Sequence, residues 1–293
     1  MEERLTVDDE NLLMSSIRTG TPLAPKFRDE FALNTKALLG HAKSYLETCH
    51  HLADACLVEI AQYDDTIGPD WKRGVVEEIQ WWWTWINKLR RQNELQNWAK
   101  LRGLPFPFER DCAAFGNQAL CCLNIGCGPR PNLGEATDYD VEIIHMDPLA
   151  SAYNRLMDFL DAPGGGDVVF GAVEILDQLD TGKFHFIAAK NCLDHAYDVP
   201  GGLRQMIDVL EDRGVIALEH YENEAEAQNY LGFHKWNIEI VEGQIHIWSR
   251  SVSEVFDHSA YGFELSYEKK VVHKAGGQPH PMLNIRLTRG LAD

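Results

Sequence analysis

Basic residues are scarce: 27 Lys and Arg stand against 45 Asp and Glu, which leaves the 293-residue chain a formal charge of −18. A surface of that sign repels polyanions over most of its area, so nucleic acid is a poor substrate. The short cluster Lys88-Leu89-Arg90-Arg91 reads as a solvated helix face. No apolar run is long enough to cross a bilayer, and the opening Met1-Glu2-Glu3-Arg4-Leu5-Thr6 lacks the basic start and apolar stretch of a secretory signal. The seven cysteines include no C-x-x-C pair, which argues against both a disulfide framework and a zinc knuckle. Reduced thiols in a cytoplasmic setting are the expectation, with Cys121 and Cys122 as core filling. Internal repeats and low-complexity tracts are also missing.

What the chain does have falls into two parts. Residues 29 to about 63 read as one long helix, because Leu38, Ala42, Tyr45, Cys49, Leu52, Cys56 and Ile60 step by three and four. Turn formers at 64–70 follow, with Asp70 as an expected N-cap, and a second helix carries the stripe Val75, Ile79, Trp82, Ile86, Leu89. Trp81, Trp82, Trp83 and Trp85 crowd this helix. At helical spacing Trp81 and Trp83 lie about 160° apart, so they cannot share one seam. Either the helix packs on two neighbours, or it presents an aromatic wall to a substrate.

Leu104-Pro105-Phe106-Pro107-Phe108 breaks this pattern, since each proline removes an amide donor and turns its predecessor away from helix. We place a helical domain at 1–117, able to serve as a cap or as a homodimer contact, and a second domain at 118–293. From Leu120 short apolar runs alternate with amphipathic segments, the pattern of a doubly wound parallel α/β sheet. The candidate strands are 120–125, 142–146, 168–170, 184–189 and 215–219.

The first of these runs into Gly126-Cys127-Gly128, where missing side chains allow a sharp turn and close approach of a ligand. A dinucleotide fingerprint needs a small residue at 131, yet Pro131 stands there, after Pro129. The next strand ends at Asp147, nineteen residues beyond Gly128. A carboxylate at that strand end suits the ribose hydroxyls of an adenosine cofactor; a helix-start carboxylate is the plainer use.

Leu123-Asn124-Ile125-Gly126-Cys127-Gly128-Pro129 resembles the first motif of class I S-adenosylmethionine-dependent methyltransferases. The later landmarks follow in order: Phe170 to Leu176 is similar to the adenine-edge segment, Phe184 to His195 to the fourth strand and its turn, and Leu203 to Leu210 to the next helix. Phe263 to Val272 and Met282 to Thr288 resemble the two closing strands that give such enzymes an antiparallel edge. The segments 147–153 and 232–237 further resemble bacterial tailoring methyltransferases.

This resemblance implies a Rossmann-like, seven-stranded methyltransferase sheet binding S-adenosylmethionine through Gly126, Cys127, Gly128, Pro129, Asp147, Pro148, Leu149, Val173, Glu174 and Asn191. Ala172 replaces the usual Asp of the adenine segment, with Glu174 as its substitute. The acceptor, a small molecule or a peptide, is expected at the ends of the fourth and fifth strands. His195 and His220 are the candidate bases there, packing being the other use of either ring. Tyr221, Glu222, His234 and Trp236 are the candidate substrate residues, although Trp236 suits packing equally well. His195, His220 and His234 lack any familiar short ligand spacing, so no metal is expected. Two other readings remain: a nicotinamide-dependent oxidoreductase, which Pro131 opposes, and a non-catalytic cofactor-binding scaffold.

Overall fold

Strands buried on both faces need apolar residues at successive positions, and Leu120–Ile125 (β1) and Phe184–Lys190 (β4) supply them. In the computed structural model, which describes residues 35–289 except 66, 96, 97, 99–105, 132, 161, 163–167, 180, 181 and 274–278, these two runs pair in parallel at the centre of a seven-stranded sheet. Val141–Asp147 (β2) and Val168–Phe170 (β3) extend it on one side. Leu210–Tyr221 (β5) extends it on the other, and the antiparallel pair Phe263–His273 (β9) and Pro279–Arg289 (β10) closes that edge. The resulting order is β3-β2-β1-β4-β5-β10-β9.

Alternation along the strands divides the core. Leu123, Ile125, Ile187, Ala189, Ile216 and Leu218 meet helix Val199–Asp208 on one face, and Cys122, Phe186, Ala188 and Val215 meet Phe106 and Phe108 on the other. Asp198 starts that helix by accepting from the Gly201 amide, and Pro200 in its first turn has no amide to leave unpaired.

Thr35–Ile60 (α1) and Pro69–Arg91 (α2) form the two expected helices; the stretch 29–34 lies outside the described residues. Gly68, not Asp70, is the N-cap of α2, because Pro69 already opens the helix; Asp70 sits in the first turn and pairs with Arg73. Cys49, Leu52, Cys56 and Ile60 of α1 share a core with Trp71, Val75 and Ile79 of α2 and with Leu149, Tyr153 and Ile175. The two helices are thereby fixed over the carboxyl ends of β1 to β3, together with Ala150–Phe159 (α3).

A second sheet is absent from the sequence reading. Asn237–Val241 (β6), Gln244–Trp248 (β7) and Ser253–Phe256 (β8) form an antiparallel meander. Glu242 and Gly243 turn the first hairpin with positive φ, which suits a two-residue connection. Ile238, Ile245, Ile247 and Phe256 add to the same core as β4 and β5.

Candidate cofactor and acceptor site

Connections from β1 lead to one side of the sheet and those from β4 to the other, so a crevice opens between the carboxyl ends of these strands. Gly126 and Gly128 form its floor, with φ of +60° and +69°. A Cβ on Gly126 would lie 2.4 Å from Cys192 Cβ, so only glycine lets the turn after β4 come this close.

Asp147, at the end of β2, is 6% exposed. Its Oδ2 accepts from the Gly128 amide at 3.0 Å and its Oδ1 from the Leu149 amide at 2.9 Å. Burial pushes its carboxyl up to about 6, against the pull of those two amides. Gly126, Cys127, Gly128, Asp147, Pro148, Leu149, Val173, Glu174 and Asn191 all line a cavity of about 350 Å³. Pro129 does not line it; its neighbour Arg130 does.

Glu174 is committed to the backbone: its Oε1 accepts from the amides of Tyr197, at 2.7 Å, and Asp198, at 3.2 Å. Burial raises its carboxyl to about 7 despite these bonds. It therefore fixes the loop after β4 as well as lining the cavity. A larger hollow of about 580 Å³ lies against the other face of the sheet, between Asn124, Lys190, Glu219 and Arg286. The glycine turn and Asp147 belong to the smaller one, which sits at the strand-order reversal, so we place the site there.

Helix α2 closes the cavity from above. Trp71 Nε1 donates to the His195 carbonyl at 2.8 Å, and Trp82 Nε1 donates to Glu78 Oε1 at 2.9 Å. Trp71, Trp81, Trp82 and Trp98 face the cavity with Tyr153 and Phe233. Trp83 instead packs on Tyr45 and Phe159, with ring centroids 5.1 Å away in each case, and Trp85 stacks on Trp81. The tryptophan cluster thus serves both uses, divided by helix face.

Among the candidate acceptor residues, His195 lines the cavity. Its Nε2 lies 3.3 Å from His234 Nδ1, which in turn lies 2.6 Å from Oδ2 of buried Asp194. Burial would raise the Asp194 carboxyl, but His195 and His234 outweigh it and hold it at about 2. His234 is raised: burial opposes its charge, and its bond to Asp194 prevails. His220 is buried and does not line the cavity, and burial lowers its imidazole to about 4.

The remaining candidates lie elsewhere. Tyr221 meets His280 edge-on, and Glu222 forms an ion pair with Lys269 of β9. Both follow the end of β5 toward the antiparallel edge, away from the cavity. Trp236 is 7% exposed and its Nε1 donates to the Ala196 carbonyl at 2.9 Å, so it packs in the core and is not part of the cavity lining. Asp194, Glu78, Trp71 and Phe233 went unnoticed in the sequence. Asp194 had a signal, since it precedes a candidate histidine directly, and Phe233 lies in the 232–237 segment whose resemblance gave it no role of its own.

No family model matches the chain, and no curated protein matches its sequence. Solved structures do. The CurJ carbon methyltransferase is 16% identical over 60% of this chain and 50% of that one, with a TM-score of 0.39, so the chain spans about half of its length. A SAM-dependent methyltransferase from Methanosarcina mazei is 18% identical over 62% of this chain and 98% of that one, with a TM-score of 0.37. A phosphoethanolamine N-methyltransferase from Haemonchus contortus, in complex with phosphomonomethylethanolamine and S-adenosylhomocysteine, is 11% identical over 70% and 58%, at 0.39. The fold is read from the strand order. Five parallel strands in the order 3-2-1-4-5, closed by an antiparallel pair with the last strand inserted, form a doubly wound, Rossmann-like sheet of seven strands, the architecture that the sequence resemblance implied.

Proposed function

We propose that this protein transfers a methyl group from S-adenosylmethionine to an oxygen or nitrogen of a small metabolite, sugar or peptide. The observation that carries this reading is the joint between the glycine turn and Asp147. Each oxygen of that buried carboxylate accepts one amide and retains capacity for another donor, which fits the two ribose hydroxyls of an adenosine group. Leu149, Ala172 and Val173 add apolar wall suited to a purine. Pro131 remains unsuited to the pyrophosphate of a dinucleotide.

Gly126, Gly128 and Asp147 would hold S-adenosylmethionine, which would supply an electrophilic methyl for an acceptor's lone pair, with sulfur as the leaving group. The chain's part is alignment and dryness. Trp71, Trp81 and Trp82 cover the cavity and exclude water, and the Trp71–His195 bond keeps α2 in register with the turn after β4. His195, on the cavity wall, is the group placed to take a proton from a hydroxyl or ammonium acceptor.

Calorimetry with S-adenosylhomocysteine tests the proposal. Micromolar binding supports it; folded protein that binds none at millimolar ligand overturns it, and a rise in NADH fluorescence on titration would favour the oxidoreductase instead.

A further inference from the structure

Three side chains at one end of the cavity converge on a single point. Asp194 Oδ2, His195 Nε2 and His234 Nδ1 are separated by 2.6, 3.3 and 3.6 Å. A divalent metal held at about 2.1 Å by such atoms sets its ligands about 3.4 Å apart in a tetrahedral shell. Two of the three edges already match; the third is a hydrogen bond that lengthens by less than 1 Å once an ion replaces the proton between Asp194 and His234.

The surroundings supply a second, independent sign. His220 is 1% exposed, and among the described residues neither of its ring nitrogens has a hydrogen-bond partner. Oδ1 of Asp194, 3% exposed, likewise has no partner among them. A buried imidazole and a buried carboxylate oxygen without partners are each costly. A cation at the convergence point offsets the charge of the buried Asp194 carboxylate.

We infer that Asp194, His195 and His234 form a binding site for a divalent transition-metal ion beside the methyl-transfer cavity, where His195 lines its wall. Two imidazoles and one carboxylate suit zinc, cobalt or iron(II) rather than calcium or magnesium, which prefer oxygen. Of the three, only His195 lines the cavity, so a bound ion takes up its Nε2 and the ring then positions the acceptor instead of accepting its proton. That last step rests on the methyltransferase reading; metal binding itself does not.

The experiment is titration of the full-length, chelator-treated protein with cobalt(II), followed by absorption between about 500 and 650 nm, with zinc competition and metal analysis after dialysis. One equivalent of cobalt with intense visible bands, displaced by zinc, is the expected result. The bands disappear and affinity falls at least 10-fold in His234→Ala and Asp194→Asn, while His258→Ala, in the short helix His258–Tyr261 after β8 and outside the cavity lining, leaves both unchanged. Circular dichroism verifies that each variant is folded. Substoichiometric cobalt, or a spectrum equal in wild type and in folded His234→Ala, overturns the site. Parallel calorimetry with S-adenosylhomocysteine on metal-free protein separates the two proposals: nucleoside binding without cobalt binding refutes the metal site alone, and cobalt binding without nucleoside binding refutes the methyltransferase reading alone.

Discussion

The amide of Gly128 donates to Oδ2 of Asp147 at 3.0 Å, so the turn after β1 and the end of β2 form one unit. A ligand that binds the carboxylate also meets the loop. Asp147→Asn replaces one of the two acceptor oxygens by a donor, which repels either an amide or a ribose hydroxyl. S-adenosylhomocysteine affinity should fall 10- to 100-fold by calorimetry, about 1.4–3 kcal/mol. An unchanged affinity would remove Asp147 from the cofactor site.

Burial lifts Asp147 to about 6 from an ordinary 3.8, and Glu174 to about 7 from 4.5. Both native-state values are raised, so the native state holds more protons than the unfolded chain between those limits. Their contribution to stability is fully present below the unfolded values and is lost as pH rises through about 6 to 7. Ligand affinity runs the other way, because hydroxyl donors need the ionised Asp147. We expect S-adenosylhomocysteine to bind about 10-fold more tightly at pH 7 than at pH 5, a slope that Asp147→Asn flattens. Calorimetry across that range decides the sign.

Gly126→Ala places a methyl 2.4 Å from Cys192 Cβ at a φ of +60°. Left-handed backbone alone costs about 1–2 kcal/mol for a residue with a side chain, and the clash pushes the turns after β1 and β4 apart. Urea unfolding should show a loss of at least that size, with cofactor binding weakened beyond it.

Trp236→Phe removes the donor to the Ala196 carbonyl while preserving most of the ring. A loss of about 1–3 kcal/mol in unfolding free energy, with nucleoside affinity within twofold of wild type, is expected from a packing residue. A large change in acceptor KM with unchanged stability would return Trp236 to the substrate site.

Trp81 is 52% exposed at the cavity rim and stacks on Trp85. Trp81→Ala should alter stability by no more than about 0.5 kcal/mol, yet weaken ligand binding several-fold if the aromatic wall covers the bound molecule. Thermal unfolding and calorimetry on the same sample distinguish the two effects.

The order of apolar runs, the glycine turn and the spacing to Asp147 are local properties, and periodicity with backbone chemistry was enough to place β1 to β5, α2 and the glycine turn after β1. Strand ends moved by a few residues, as with Leu210–Tyr221 in place of 215–219, since pairing partners decide where a strand stops. The meander at 237–256 was legible in Ile238, Ile240, Ile245 and Ile247 around Glu242-Gly243, but it was overlooked.

Tertiary structure alone decided which chemistry-bearing side chains meet. Glu222 and Trp236 look as functional in sequence as His195 does, yet one pairs with Lys269 and the other enters the core. His234 joins Asp194 across a separation of 40 residues, because the insert after β5 folds back over the turn after β4. Sequence patterns report which face of an element is buried. Where two distant loops touch depends on how whole elements pack, and no local pattern encodes that.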